Sequence, residues 1–238
     1  MKAFVLAGGL GTRLKGILDN MPKPLARFGN RPFVEYLVVQ LRSYGFCDLV
    51  FCIGYLGEQI QAHLGDGSRW GVRIAYSQER EPLGTGGALK WTVEHIGEER
   101  EFLVMNGDSF LQVDLRALAA YHKGEGALAT MALVHVNDTA RFGKVEIGGN
   151  GEIVRMVEKS GGGAGLINGG IYVLSKAVLD FIPDGQVSLE LDVFPKLLGK
   201  GFYGVLAEGF FIDIGVPEDH TRLHDNPEML LRLLRQEK

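Results

Sequence analysis

The first hundred residues alternate short, mostly apolar runs with stretches of helical pattern, and this alternation constrains the fold more than any other feature. Ala3–Leu6, Leu49–Ile53, Val72–Tyr76 and Phe102–Met105 read as short strands, buried on both faces where the apolar run is continuous. Between them lie three helical segments. Pro32–Tyr44 has Pro32 near its first turn and Gly45 ending it; Gly57–Leu64 and Gly86–Ile96 follow. Buried strands separated by helices predict a parallel sheet with helices on both faces. Many of the 34 glycines fall at the ends of apolar runs, where tight turns and close backbone approach to a ligand require them.

The second half changes character. Leu128–His135, Gly143–Ile147, Ile153–Glu158, Leu166–Leu174, Phe202–Ala207 and Phe210–Ile214 read as further strands, with Gly149-Asn150-Gly151 as a hairpin turn. Ser188 is placed to cap a helix running to about Leu198. Gly161-Gly162-Gly163-Ala164-Gly165 reads as a mobile loop. Residues 227–238 read as an amphipathic helix whose apolar side is Leu230, Leu231, Leu233 and Leu234. That helix is expected to pack on its own domain or to join copies in a homo-oligomer.

Composition narrows the function classes. A net charge of −4 argues against a general nucleic-acid binder. No run approaches 18 apolar residues, so no membrane span or membrane partner is expected. The apolar start at Met1–Leu6 is too short for a signal peptide, which makes the cytoplasm the expected compartment. Cys47 and Cys52 are read as reduced, buried thiols.

Four constellations carry chemistry. The first is the loop Ala7-Gly8-Gly9-Leu10-Gly11-Thr12-Arg13 after the first strand, whose glycines admit a phosphate and whose Arg13 matches phosphate geometry. It fits neither common phosphate-loop pattern. A dinucleotide fingerprint from Gly9 needs glycine at 14, where Leu14 stands, and an acidic residue near Ile53-Gly54-Tyr55. A Walker loop from Gly11 reaches Gly16 but meets Ile17-Leu18 instead of Lys-Ser/Thr. The second is Pro22-Lys23-Pro24, a lysine stiffened on both sides. The third is Gln78 with Leu83-Gly84-Thr85-Gly86-Gly87, at the same sheet edge, where Gln78 can pair with a base and the glycines let the chain lie along it. The fourth is Asp108 in Met105-Asn106-Gly107-Asp108, with Asp213 at the end of Phe211-Ile212-Asp213. Both suit Mg²⁺, which needs only one or two carboxylates besides phosphate oxygens and water.

Together these segments resemble the sugar-1-phosphate nucleotidyltransferase family. The likeness starts with Leu6-Ala7-Gly8-Gly9-Leu10-Gly11-Thr12-Arg13-Leu14 and Pro22-Lys23-Pro24. It continues through Pro82–Ala88, Asn106-Gly107-Asp108, Phe142-Gly143, Val157-Glu158-Lys159, Ile167-Asn168-Gly169-Gly170 and Asp213-Ile214-Gly215. Within the family, Ser188–Asp192 and Gly209–Asp219 are most similar to the guanylyltransferases of D-glycero-D-manno-heptose 1-phosphate. Mannose-1-phosphate guanylyltransferases and uridylyltransferases share most of the motifs.

The resemblance implies an α/β fold, a Rossmann-like three-layer α/β/α sandwich with a mixed, mainly parallel central sheet. It implies one domain with a nucleotide-binding lobe at about 1–115 and a sugar-phosphate lobe at about 116–220. An NTP, GTP by preference, and a sugar 1-phosphate would give an NDP-sugar and pyrophosphate. Leu6, Ala7, Gly8, Gly9, Gly11, Thr12 and Arg13 would hold the nucleotide, with Gln78, Gly84 and Thr85 at the base. Arg13, Lys23 and Asp108 would be catalytic, and Asp108 and Asp213 would hold Mg²⁺. Gly143, Glu158, Lys159, Asn168 and Gly169 would line the sugar-phosphate pocket. The attacking phosphate is already a nucleophile at neutral pH, so none of the six histidines is needed as a base. A non-catalytic sensing subunit would share the fold, but the retention of Arg13, Lys23, Asp108 and Asp213 speaks against that reading.

Overall fold

The computed structural model describes residues 1–9, 20–157, 162–226 and 228–230. Along the chain come β1 (Ala3–Ala7), a 3-10 turn at Lys23–Leu25, the short strands β2 (Arg27–Phe28) and β3 (Arg31–Pro32), and helix α1 (Phe33–Ser43). Then follow β4 (Asp48–Ile53), α2 (Gly57–Leu64), β5 (Arg73–Gln78), α3 (Gly84–Trp91), α4 (Val93–Ile96), β6 (Glu101–Asn106), β7 (Ser109–Leu111) and α5 (Leu115–Gly124). The second half contributes β8 (Ala129–Val136), β9 (Lys144–Ile147), β10 (Ile153–Val157), β11 (Gly165–Ser175), α6 (Phe194–Leu197), β12 (Phe202–Ala207), β13 (Phe211–Asp213) and α7 (Pro217–Asp225).

The main sheet runs β5-β4-β1-β6-β11-β8-β12, continuous across both halves of the chain. β1 is parallel to β4 and β6, β4 to β5, and β8 to β12. β11 is antiparallel to both β6 and β8, so it alone opposes six strands that share one direction. The β9–β10 hairpin joins β11 at Leu166 opposite Val145. This is the mixed, mainly parallel sheet expected.

Alternation along each strand divides the core into two layers. Ala3, Val5 and Ala7 of β1 belong to the cluster that holds Leu37 of α1, Ile60 of α2 and Leu118 of α5. Phe4 belongs to the cluster on the other face, with Leu89 of α3, Ile96 of α4 and Phe194 of α6. Each buried Val, Leu, Ile or Phe among these contributes about 1.5–3 kcal/mol. Stability therefore lies in these two layers and leaves the C-terminal sheet edge free for chemistry. The register sets that edge level: Ala7 pairs with Ile53, Ile53 with Gln78, and Leu6 with Asn106.

Local signals explain the helix ends. Gly45, at φ +84°, follows α1; its N–H donates to the Arg42 carbonyl and Phe46 N–H to that of Leu41, a Schellman closure. Asp114 caps α5 by accepting from the N–H groups of Arg116 and Ala117, each at 2.9 Å.

Five segments depart from the pattern. The helix expected at 86–96 begins at Gly84 and breaks at Thr92, whose hydroxyl and N–H both return to the Leu89 carbonyl. Ser188 does cap a helical segment, accepting from Leu191 N–H, but the first turn is a π turn. There Phe194 N–H reaches the Leu189 carbonyl, and Pro195 lacks the N–H that an α continuation needs. The strand expected at 210–214 is β13, which leaves the main sheet and pairs with β7. α5 and α7 form where no helix was expected. The helix expected at 227–238 lies largely outside the described residues; 228–230 are helical, with Leu230 buried. No helix among the described residues is long and apolar enough to cross a membrane.

Candidate active site

A cleft of about 600 Å³ opens at the C-terminal sheet edge, lined from β1 by Leu6, Ala7, Gly8 and Gly9 and from the β6–β7 turn by Asn106, Gly107 and Asp108. Lys23, Glu79, Gly84, Thr85, Arg141, Phe142, Gln186, Glu190 and Asp213 also line it. The topology explains the convergence. In a parallel sheet all the loops leaving C-terminal strand ends meet at one edge, and β7–β13 folds the late Asp213 back beside the earlier Asp108.

The charged corner is built around one glycine. Pro22 leads into the 3-10 turn that carries Lys23, closed by Leu25 N–H to the Pro22 carbonyl. Lys23 Nζ lies 3.1 Å from Asp108 Oδ2. Ile214 N–H donates to the Asp108 carbonyl and Gly215 N–H to Asp213 Oδ1 at 2.8 Å. A Cβ at Gly215 would meet Asp213 Oδ1 at 2.9 Å, Lys23 Nζ at 3.1 Å and Asp108 Oδ2 at 3.3 Å. The absence of a side chain at 215 thus lets two carboxylates and an ammonium surround one point. Burial, then the charge of Asp108, pushes the Asp213 carboxyl up to about 6; Gly215 N–H and Lys23 pull the other way. Among the described residues these two carboxylates share one ammonium, that of Lys23.

The opposite wall is satisfied internally. Thr85 Oγ1 donates to Glu190 Oε2 at 2.8 Å and accepts from Leu189 N–H, while Ser188 Oγ donates to the same carboxylate oxygen at 2.9 Å. Tyr172 Oη lies 3.4 Å from Glu190 Oε1 and receives Asn168 Nδ2 at 2.7 Å. Gly86 and Gly87 donate N–H bonds to the Val187 carbonyl, and a Cβ on Gly84, at φ +71°, would lie 2.5 Å from that oxygen. The glycines after Leu83 therefore seat the 185–190 segment as well as exposing backbone to the cleft.

Each predicted residue has its place. Leu6, Ala7, Gly8, Gly9, Lys23, Gly84, Thr85, Asp108 and Asp213 line the cleft. Gln78 is exposed and lines a smaller pocket beside it, with Gly8, Gly54 and Tyr55. Asn168 stands behind the wall, joined to it through Tyr172. Gly169 is packed against Leu111 and the Ala132 carbonyl, and Gly143, at φ +80°, follows the cleft residue Phe142. Gly11, Thr12, Arg13, Glu158 and Lys159 lie outside the described residues.

Glu79 and Glu190 line the cleft without having been among the site residues expected from the sequence. The carboxylate of Glu79 reaches in because Gly8 and Gly54 lack side chains; a Cβ on either would lie 2.7 Å from its Oε1. One oxygen of Glu79 accepts Leu83 N–H at 3.3 Å, and among the described residues no cation pairs with it. Burial raises its pKa, opposed by that N–H. The signal available in the sequence was a second polar residue directly after Gln78. Cys52, also in the wall, is held protonated, its thiol pushed up to about 12 by burial and then by the charge of Glu79. Both cysteines are free, Cys52 buried and Cys47 half-buried.

A cleft at a parallel sheet's ligand edge, with a glycine loop, a fixed lysine and two converging carboxylates, defines a site for a phosphate-bearing ligand. Residues 2–228 match the nucleotidyl transferase family, and the chain belongs to it. It is a nucleotidyltransferase enzyme. It is 37% identical to the D-glycero-alpha-D-manno-heptose 1-phosphate guanylyltransferase of Aneurinibacillus thermoaerophilus over 93% of this chain and 96% of that one. It is 36% identical to a mannose-1-phosphate guanyltransferase of Schizosaccharomyces pombe over 92% of this chain but 62% of that protein. The fold superposes with a TM-score of 0.83 on the crystal structure of HddC from Yersinia pseudotuberculosis complexed with GMP-PN, at 32% identity, covering 94% of this chain and 98% of that one.

Proposed function

We propose that this enzyme transfers a guanylyl group from GTP to a sugar 1-phosphate, with D-glycero-α-D-manno-heptose 1-phosphate as its preferred acceptor and the cytoplasm, where GTP is supplied, as its compartment. The observation that carries the base is Glu79. A cleft carboxylate with an acceptor to spare matches the N1–H and N2–H₂ donors of guanine. Adenine and cytosine set one donor group beside a ring acceptor, and uracil flanks its single N–H with two carbonyls, so each leaves the carboxylate poorly matched. The acceptor assignment draws support from the length of the match, which spans nearly the whole heptose enzyme and under two thirds of the mannose enzyme.

The residues present fit a hard divalent cation. Two carboxylates border the position a Cβ of Gly215 would fill, and burial, then the charge of Asp108, raises the Asp213 carboxyl. Among the described residues no third His, Cys, Asp or Glu joins them, a donor set suited to Mg²⁺ that takes its remaining oxygens from substrate and water. Asp108 and Asp213 would hold the ion, which would supply charge neutralisation to the phosphates when bound. An oxygen of the sugar phosphate attacks the α-phosphorus in line, the bond to the β-phosphate oxygen breaks, and pyrophosphate leaves. No proton need be removed. Lys23 offsets charge growing on the phosphates, and the cleft walls fix the two substrates in line.

Pyrophosphate release from four NTPs against heptose, mannose, glucose and N-acetylated sugar 1-phosphates tests this reading. GTP with the heptose 1-phosphate should give the highest kcat/KM. A preference for UTP, or for glucose 1-phosphate, would overturn the specificity, and no release from any pair would leave a nucleotide-sensing protein.

A further inference from the structure

We propose that Arg141 binds the phosphate of the incoming sugar 1-phosphate, exchanging its ion pair with Glu218 for that phosphate. The inference rests on the nucleotidyl-transfer reading and adds a substrate contact to it.

Among the described residues the cleft is short of cations. Among its described lining residues, Glu79, Asp108, Glu190 and Asp213 face only Lys23 and Arg141. Lys23 is bound to Asp108 at 3.1 Å, which leaves Arg141 as the described lining cation not tied to a cleft carboxylate. Two phosphate-bearing substrates must nonetheless enter together.

Arg141 is anchored so that its head can move. A turn closed by Phe142 N–H and Gly143 N–H on the Thr139 carbonyl fixes its backbone. Phe142 meets Phe211 edge-on, with centroids 6.0 Å apart, two residues before Asp213. The guanidinium lies 5.5 Å from the Phe142 ring centroid and donates from Nη1 to Glu218 Oε2 at 3.1 Å. That ion pair is half-exposed on the arginine side and 74% exposed at Glu218, so water screens it and it holds the arginine weakly. A phosphate dianion offers the planar fork two oxygens and two charges. Glu218 lies in the first turn of α7, directly after the Asp213–Gly215 corner. Until substrate arrives it keeps the guanidinium at the cleft mouth.

Steady-state kinetics with GTP and the heptose or mannose 1-phosphate, whichever the native enzyme uses, test this through Arg141→Ala, Arg141→Lys and Glu218→Gln. Arg141→Ala should raise KM for the sugar 1-phosphate about 10–100-fold, with KM for GTP changing less than about twofold. Arg141→Lys should recover part of the loss. Glu218→Gln should leave that KM unchanged or lower it, because the competing carboxylate is gone. An unchanged sugar-phosphate KM in Arg141→Ala overturns the inference. So does an equal rise in both KM values, or a Glu218→Gln defect as large as that of Arg141→Ala, since either outcome marks the ion pair as structural. If the native enzyme releases no pyrophosphate with any pair, the underlying function fails instead.

Discussion

The two walls of the cleft solve opposite problems. At the Lys23–Asp108–Asp213 corner, two carboxylates share one lysine, and one of them is held up near pH 6. At the Thr85–Glu190–Tyr172 wall, one carboxylate collects three hydroxyls, each of them held by a further partner. Among the described residues, the first wall leaves two carboxylates with one ammonium, and the second is satisfied internally. On the proposed function, the corner with spare negative charge is the one that meets the reacting phosphates and the metal, while the groups that shape the pocket are locked in advance.

The largest effect should come from the charged corner. Asp108→Asn should lower kcat by about 10²–10⁴-fold with the melting curve intact, and Lys23→Ala should behave alike. Near-native turnover at ordinary Mg²⁺ would erase the distinction between the walls. The next effect separates Glu79 from both: Glu79→Gln should cut kcat/KM for GTP about 10–100-fold and narrow the preference for GTP over UTP. An unchanged GTP-to-UTP ratio would remove Glu79 from base reading. The internally satisfied wall should respond in stability more than in chemistry. Thr85→Val leaves Glu190 and the Leu189 N–H short of a partner, and should lower unfolding free energy by about 1–3 kcal/mol in denaturant titration. If it lowered kcat as strongly as Asp108→Asn, that wall would be chemical too.

The same contrast sets what the sequence shows. The charged corner is written in contiguous motifs, because strand ends in a parallel sheet deliver neighbouring residues to one edge. Asp108 and Lys23 are therefore legible beside their glycines and prolines. The role of Glu79 is not, because what admits its carboxylate is the missing side chains of Gly8 and Gly54, residues far apart in sequence and adjacent only through the β1–β4 register. The Glu190 network joins Thr85, Asn168 and Tyr172 across more than a hundred residues and has no periodic signature. In the fold, buried apolar strands announced β1, β4 and β6. β13 was legible as a strand, but its partner was not: its departure to β7 depends on pairing that composition does not encode. α5 escaped the reading although Asp114 caps it and Leu115 and Leu118 are buried in the core.

The measurement that tests the contrast most directly is Asp213→Asn, followed by thermal melting without metal across pH and by turnover with Mg²⁺. The sign follows from the raised carboxyl. Below about pH 4 it is neutral in both folded and unfolded chains and has no effect. Between about pH 4 and 6 the folded state binds the extra proton, so native stability falls as pH rises, and above about 6 the penalty is complete. Asn keeps an oxygen for Gly215 N–H while removing the charge. The variant should be more stable than the native enzyme by about 1–3 kcal/mol at pH 7 and equal to it near pH 4, with turnover reduced by orders of magnitude. A variant that is less stable at pH 7 yet turns over normally would contradict the account.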